Sequence, residues 1–343
     1  MKKIAAFGIL LLLLTLSLPA DEEDDSEQGG SKNPSGNSIY TFFFNIVNEN
    51  FRYPLFGMFN LVIGDFNNLQ VGMVNWNTRN FTGLQAAYFF NFAGADLSGL
   101  QLGTINIVAG NTDGFQLGFF NSTKSLDGLQ AGFVNAAING GKGFQAGFFN
   151  IATQTLRGVQ LGFINYADSI EDGVPIGFLS IVRRGGYRAI EYGFSEFFPF
   201  TLGFKIGVPR FYTAFYGAIN PFEENQDNRT IFGWGIGSII PIAGSFFFNP
   251  EYIRLNASSE SYWDEDEETW EYNYWPFSRS QSLIFYFGYN VNHRLAILAG
   301  PSLTWLRYTN QQRIEPLFSF LQHDINDKNS FSLGARAAMR LRF

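Results

Sequence analysis

The chain has 343 residues, a formal net charge of −7, 15% charged residues, 40 Phe and no Cys. The acidic balance argues against a nucleic-acid partner, which needs a basic surface. The lack of Cys excludes disulfides, a lipidated Cys anchor and thiolate metal sites.

Residues 1–20 read as a secretion signal. Lys2 and Lys3 form a basic start, Ile4 to Leu18 an apolar core, and Pro19-Ala20 a cleavage region before an abrupt acidic run. Loss of the two lysines takes the charge from −7 to −9. No later stretch is apolar for the ~20 residues that a membrane helix needs, so any membrane role must use strands. Residues 21–38 are acidic, then rich in Gly, Ser, Asn and Pro, and read as a disordered tether.

Residues 39–185 carry a repeat of about fifteen residues. Its core reads Gly, apolar, Gln, apolar or small, Gly, apolar, apolar, Asn, as in Gly114 to Asn121 and Gly143 to Asn150. The Gln falls at Gln70, Gln85, Gln101, Gln116, Gln130, Gln145 and Gln160. The Asn falls at Asn75, Asn91, Asn106, Asn121, Asn135, Asn150 and Asn165. Leu55 and Pro175 take the Gln position in degenerate end copies. Arg79, Asp96, Asp113, Lys124, Asp127, Lys142 and Arg157 all lie in the connecting segments, which are rich in turn residues. Each repeat is therefore one apolar strand-like stretch and one polar turn.

Two architectures use such a unit. In an antiparallel barrel each repeat is one strand, and Gln and Asn, five apart, point to opposite faces. One polar row would then face lipid. In a β-solenoid a bend at the intervening Gly lets both rows stack as amide ladders. The absence of a thirty-residue alternation also favours the solenoid, with about nine coils. The alternative joins the repeats to the later strands in one barrel of roughly 16–18 strands. At Gln85, Ala87 replaces the second Gly and one extra residue precedes Asn91, which predicts a bulge.

Residues 186–343 change to longer alternating strands. Phe200 to Val208 alternates, with Lys205 on the polar face. In the last strand Phe331, Leu333, Ala335, Ala337, Met339, Leu341 and Phe343 form one face, opposite Ser332, Gly334, Arg336, Arg340 and Arg342. An apolar outside with a polar inside is the pattern of a lipid-facing barrel strand. Met339, Leu341 and terminal Phe343 resemble the signal that barrel-assembly machinery reads on outer-membrane barrels. The expected fold is all-β: a β-solenoid-like array, then an antiparallel outer-membrane-type β-barrel.

The repeat motif resembles that of the bacterial surface repeat-containing proteins, from about Leu55 through the Gly173–Tyr187 junction. That resemblance implies a surface location and no particular activity.

No catalytic fingerprint is present. His293, His323 and Ser302 are weak catalytic candidates in turn or strand positions, and the expectation is a non-enzyme without a cofactor. The acidic, aromatic segment from Glu260 to Trp275 offers Asp264, Asp266 and Glu268 as hard oxygen ligands for a divalent cation, although a solvated barrel loop explains it as well. The expected function is an outer-membrane or cell-surface scaffold or adhesin-like module. Its expected partners are outer-membrane lipid, the assembly machinery and an unknown surface ligand. The alternative is a porin-like channel whose solute choice is biased by Lys205, Arg336, Arg340 and Arg342.

Overall fold

The structure, a computed structural model, describes residues 38–219, 231–256, 260–264, 269–273, 277–308 and 316–343. The expected leader and nearly all of the expected tether lie outside the described residues. Every regular element among the described residues is a strand. Contacts divide the chain into two compact units, Met1–Gly128 and Leu129–Phe343.

The first unit is a stack of parallel coils. On one arm Gln70 pairs with Gln85, Gln85 with Gln101, and Gln101 with Gln116. On the other arm Asn45 pairs with Asn60, Asn60 with Asn75, Asn75 with Asn91, and Asn91 with Asn106. This is a β-solenoid. A single barrel of roughly 16–18 strands is ruled out, because neighbouring strands of such a barrel run antiparallel. The extra residue before Asn91 is absorbed where Gly72 pairs with Ala87 but Val74 with Phe90, a shift in register. Short antiparallel pairing of Ile39–Tyr40 with Phe44–Asn48 covers the first edge.

Two glycines per repeat make the coil possible. Gly158 has φ 142°, and a Cβ there would collide with the Gly143 carbonyl of the coil before. Gly162 forms the corner between the arms, where a Cβ would collide with the Gly147 carbonyl and the Asn150 side chain. Only glycine lets adjacent backbones approach this closely at a bend. Toward the polar turns the coil interior becomes apolar, with Val62, Phe66, Phe81, Ala93, Leu97 and Val108 buried together.

The second unit begins with further coils in the strands Gly141–Ile170 and Val174–Arg184. Val159 pairs with Val174, Leu161 with Ile176, and Ile164 with Leu179, again in parallel. There follows an antiparallel barrel of β1 (Tyr187–Ser195), β2 (Phe200–Val208), β3 (Phe211–Ile219), β4 (Ile231–Gly237), β5 (Phe246–Asn256), β6 (Phe277–Asn290), β7 (Leu295–Tyr308) and β8 (Asn329–Arg342). Pairing of β1 with β8, Tyr192 opposite Met339, closes it. Alternation sorts the faces: Ile190, Tyr192, Phe194, Leu202, Met339 and Leu341 are exposed, whereas Glu191, Lys205, Arg336 and Arg340 are buried.

Candidate functional site

The repeats bury amides. Gln70, Gln85, Gln101, Gln116, Gln130, Gln145 and Gln160 are wholly buried, as are Asn75, Asn91, Asn106, Asn121, Asn135, Asn150 and Asn165. The corner glycine turns the chain, so two residues of opposite strand parity both point inward. Each Asn divides its two N–H donors. Asn150 Nδ2 donates to Asn165 Oδ1 at 2.9 Å and to the Leu161 carbonyl at 3.0 Å. The same pair of bonds recurs at Asn60, Asn75, Asn91 and Asn106. The carbonyls reached in this way lie at the bend, and the amide satisfies them there.

The Gln row runs the other way. Gln85 Nε2 donates backward to Gln70 Oε1 at 2.8 Å, and Gln160 Nε2 to Gln145 Oε1 at 2.9 Å. The second donor of each reaches the carbonyl after the Asn of its own coil: Phe92 from Gln85 and Tyr166 from Gln160. The dipoles of the two rows therefore oppose each other. In the first unit the Thr41 amide donates to Asn45 Oδ1 at 2.7 Å, and in the second Asn165 donates to the Ser180 hydroxyl. Where Leu55 and Pro175 replace Gln, the Gln row stops.

The barrel interior is filled by a compensated charge network. Arg340 Nε donates to Glu191 Oε2 at 2.7 Å, and Lys205 Nζ lies 3.2 Å from Glu191 Oε1. Glu251 accepts from Lys205, Tyr216 and Tyr212, the last at 2.9 Å. Arg340 also donates to Asn249 Oδ1 at 2.6 Å. The Lys205 ammonium stands 5.0 and 5.2 Å from the ring centres of Tyr212 and Tyr216, a favourable cation–π arrangement. Two carboxylates thus balance two cations. Toward the other end, the β1–β2 connection turns inward. Phe197 and Phe198 are buried, and Glu196 accepts from Ser302 and Thr304 at 3.0 Å. Side chains occupy the whole width of an eight-stranded barrel in this way.

The other candidates separate. Lys205, Arg336 and Arg340 are buried inside the barrel, with Arg336 facing the Tyr216 ring, while Arg342 reaches Asn290. Ser302 is bonded to Glu196, and exposed His293 lies in the β6–β7 turn. His323 is exposed in the strand Leu321–Asn326. The backbone of Glu260–Asp264, ending at Asp264, pairs with Thr269–Asn273 as an antiparallel ribbon; Asp266 and Glu268 lie outside the described residues. Among the described residues no cluster of three or more metal-ligating side chains occurs. Met339 and Leu341 face outward on β8, beside terminal Phe343.

Sequence reasoning had not singled out Glu191, Glu251 or Asn249. The signal was there, since each falls on the inward parity of a strand whose other face is apolar. At the turn edge of the coils, Asp168 is flanked by Arg183 and Arg184. The Arg183 guanidinium, hydrogen-bonded to it, holds the Asp168 carboxyl below the ordinary carboxylate range.

No family model and no curated protein matches the chain. Among solved structures, Neisserial surface protein A is similar at 10% identity, covering 46% of this chain and 94% of that one, with a TM-score of 0.27.

Proposed function

We propose that the protein is a non-enzymatic outer-membrane scaffold, in which a closed barrel anchors an array of repeats. The observation that carries this reading is the barrel's inverted polarity. A neutralised ionic core lies within, and a continuous apolar wall of Ile190, Tyr192, Phe194, Leu202, Phe232, Ile297 and Met339 lies without. Water-soluble barrels have the opposite arrangement, because large exposed apolar surfaces drive association.

The porin-like alternative loses support. Lys205, Arg336 and Arg340 are packed into the interior and do not line an open lumen. Of scaffold and adhesin, the outward chemistry of the repeats favours scaffold. Their exposed large apolar residues include Phe115, Phe133, Phe148, Leu161, Phe163 and Phe178, an outward surface that suits contact with lipid better than with water. The test is membrane fractionation with planar-bilayer recording. Recovery in the outer membrane as a species that migrates differently before and after boiling, without discrete conductance steps, supports the reading. Recovery as a water-soluble protein, or stepwise conductance, contradicts it.

A further inference from the structure

The repeats share the barrel's inversion, and this is not expected of a solenoid that stands in water. Coil interiors hold Gln and Asn with no exposed surface, while the corners present Phe133, Phe148, Phe163 and Phe178, each at least 40% exposed. Phe148, Phe163 and Phe178 stack face to face at 4.8 Å. Leu161 is exposed on the arm beside them. The charges Lys142, Arg157, Glu171, Arg183 and Arg184 all lie at the opposite, turn edge. Each coil is an apolar wedge with a charged base. In the first unit Phe115, Leu117 and Phe119 are exposed in the same way, and Asp113 and Lys124 mark the turns.

The wedge runs directly onto the barrel's outer wall. Phe178, the last of the stack, packs edge-on against outward Phe215 of β3 at 5.1 Å. Thr213, also outward on β3, is 2% exposed because its hydroxyl donates to the corner carbonyl of Gly177 at 2.7 Å. The barrel thus packs against the edge of the last coil, where unpaired backbone would otherwise be uncovered. From Gly158 to the corner at Phe163 there are five residue steps of ~3.3 Å, or ~17 Å of strand. That is about half of a hydrocarbon core of ~30 Å.

The barrel supplies the direction. The short connections 209–210 and 291–294 lie at the end where β1 begins and β8 finishes, and the long connections 257–276 and 309–328 lie at the other. Short turns face the periplasm in outer-membrane barrels. Arg188, near the start of β1, donates to the Val182 carbonyl at 3.1 Å, which holds the charged base of the last coil at this short-turn end. Phe215, touched by the corner, is the middle residue of β3 (Phe211–Ile219).

Building on the reading of the barrel as a membrane anchor, we propose that the repeat coils of the second unit are embedded in the periplasmic leaflet. Their partner is phospholipid hydrocarbon. The Phe corners reach the bilayer midplane, and the charged turns lie at the headgroups. These coils form a one-leaflet wedge whose amide ladders are shielded from lipid by their own apolar skin.

The chain lacks Cys, so single spin labels can be placed without background. Phe163→Cys, Arg157→Cys and, on the barrel wall, Leu202→Cys would each be labelled with a nitroxide in the full-length protein in phospholipid vesicles. Collision with oxygen would be compared with collision with a water-soluble nickel chelate. The proposal expects the oxygen-to-nickel ratio at 163 to match that at 202 and to exceed that at 157 several-fold. A lipid signature at 202 with nickel access at 163 overturns the proposal and leaves the barrel reading intact. Nickel access at both 163 and 202 overturns the barrel reading itself. In cells, Arg157→Cys should resist a bulky maleimide until the outer membrane is permeabilised. Labelling in intact cells would overturn the leaflet assignment.

Discussion

The barrel and the repeats reach the same inversion, polar within and apolar without, by different chemistry. The barrel neutralises Glu191 and Glu251 with Lys205 and Arg340, a few strong charges in a network whose members depend on one another. The repeats use neutral amides, each with the same partners one coil away. A buried ion pair needs its particular partner, and losing one leaves a bare charge in a low dielectric. An amide ladder is translationally uniform, so damage stays within neighbouring coils. A closed barrel can hold a unique network because its circumference is fixed. An array that lengthens by repetition needs a motif that satisfies itself at every step.

This contrast can be tested by removing one member of each interior. The largest effect is expected for Glu251→Ala, which leaves Lys205 and Arg340 under-compensated and removes an acceptor from Tyr212 and Tyr216. A loss of about 3–5 kcal/mol is expected from a broken buried pair, read as a lower urea midpoint for the folded form in vesicles. A loss under ~1 kcal/mol would mean that the network does not hold the barrel together. Gln85→Leu should do less. It orphans the Gln70 acceptor and the Gln101 donor, for about 1–3 kcal/mol. Its effect should be confined to the first unit, with hydrogen exchange rising in the strands Phe66–Asn77 and Leu97–Leu102 but not in the barrel. Barrel-wide exchange would break the distinction between local and interdependent interiors.

The smallest effect concerns Asp168. Its carboxyl is depressed in the folded state by Arg183 and Arg184. The stabilisation is therefore fully present above the ordinary value of 3.8 and is lost as pH falls through the lower folded value. The wild type should lose a small increment of stability in that acid window, and Asp168→Asn should show a flatter profile there. Identical profiles would show that the exposed arginines contribute nothing, as for many surface pairs.

Much of this was legible in the residues. The spacing of Gln and Asn exposed the repeat, and the five-residue offset between them called for a bend at the Gly. Strict alternation at Phe331 to Phe343 gave the outward face of β8. The partners of the second N–H on each amide were not legible, because they are carbonyls brought close only by stacking: Leu161 for Asn150, Phe92 for Gln85. The inward turn of Phe197 and Phe198 was hidden too, since apolar residues in a loop look the same whether they face lipid or a lumen. Docking of the last coil on Thr213 and Phe215 depends on contacts 36 or more residues apart in the chain, beyond any local pattern.

The parallel stacking of the repeats can be tested most directly by cross-linking. Three double variants, Val159→Cys with Val174→Cys, Leu161→Cys with Ile176→Cys, and Ile164→Cys with Leu179→Cys, place thiols at paired positions along adjacent coils. The chain has no other Cys. Parallel registry predicts that all three pairs join on oxidation, because each pair keeps the same offset. In an antiparallel hairpin, paired positions share a constant sum of residue numbers, so at most one of the three pairs could be in register. Formation of only one cross-link would contradict the solenoid.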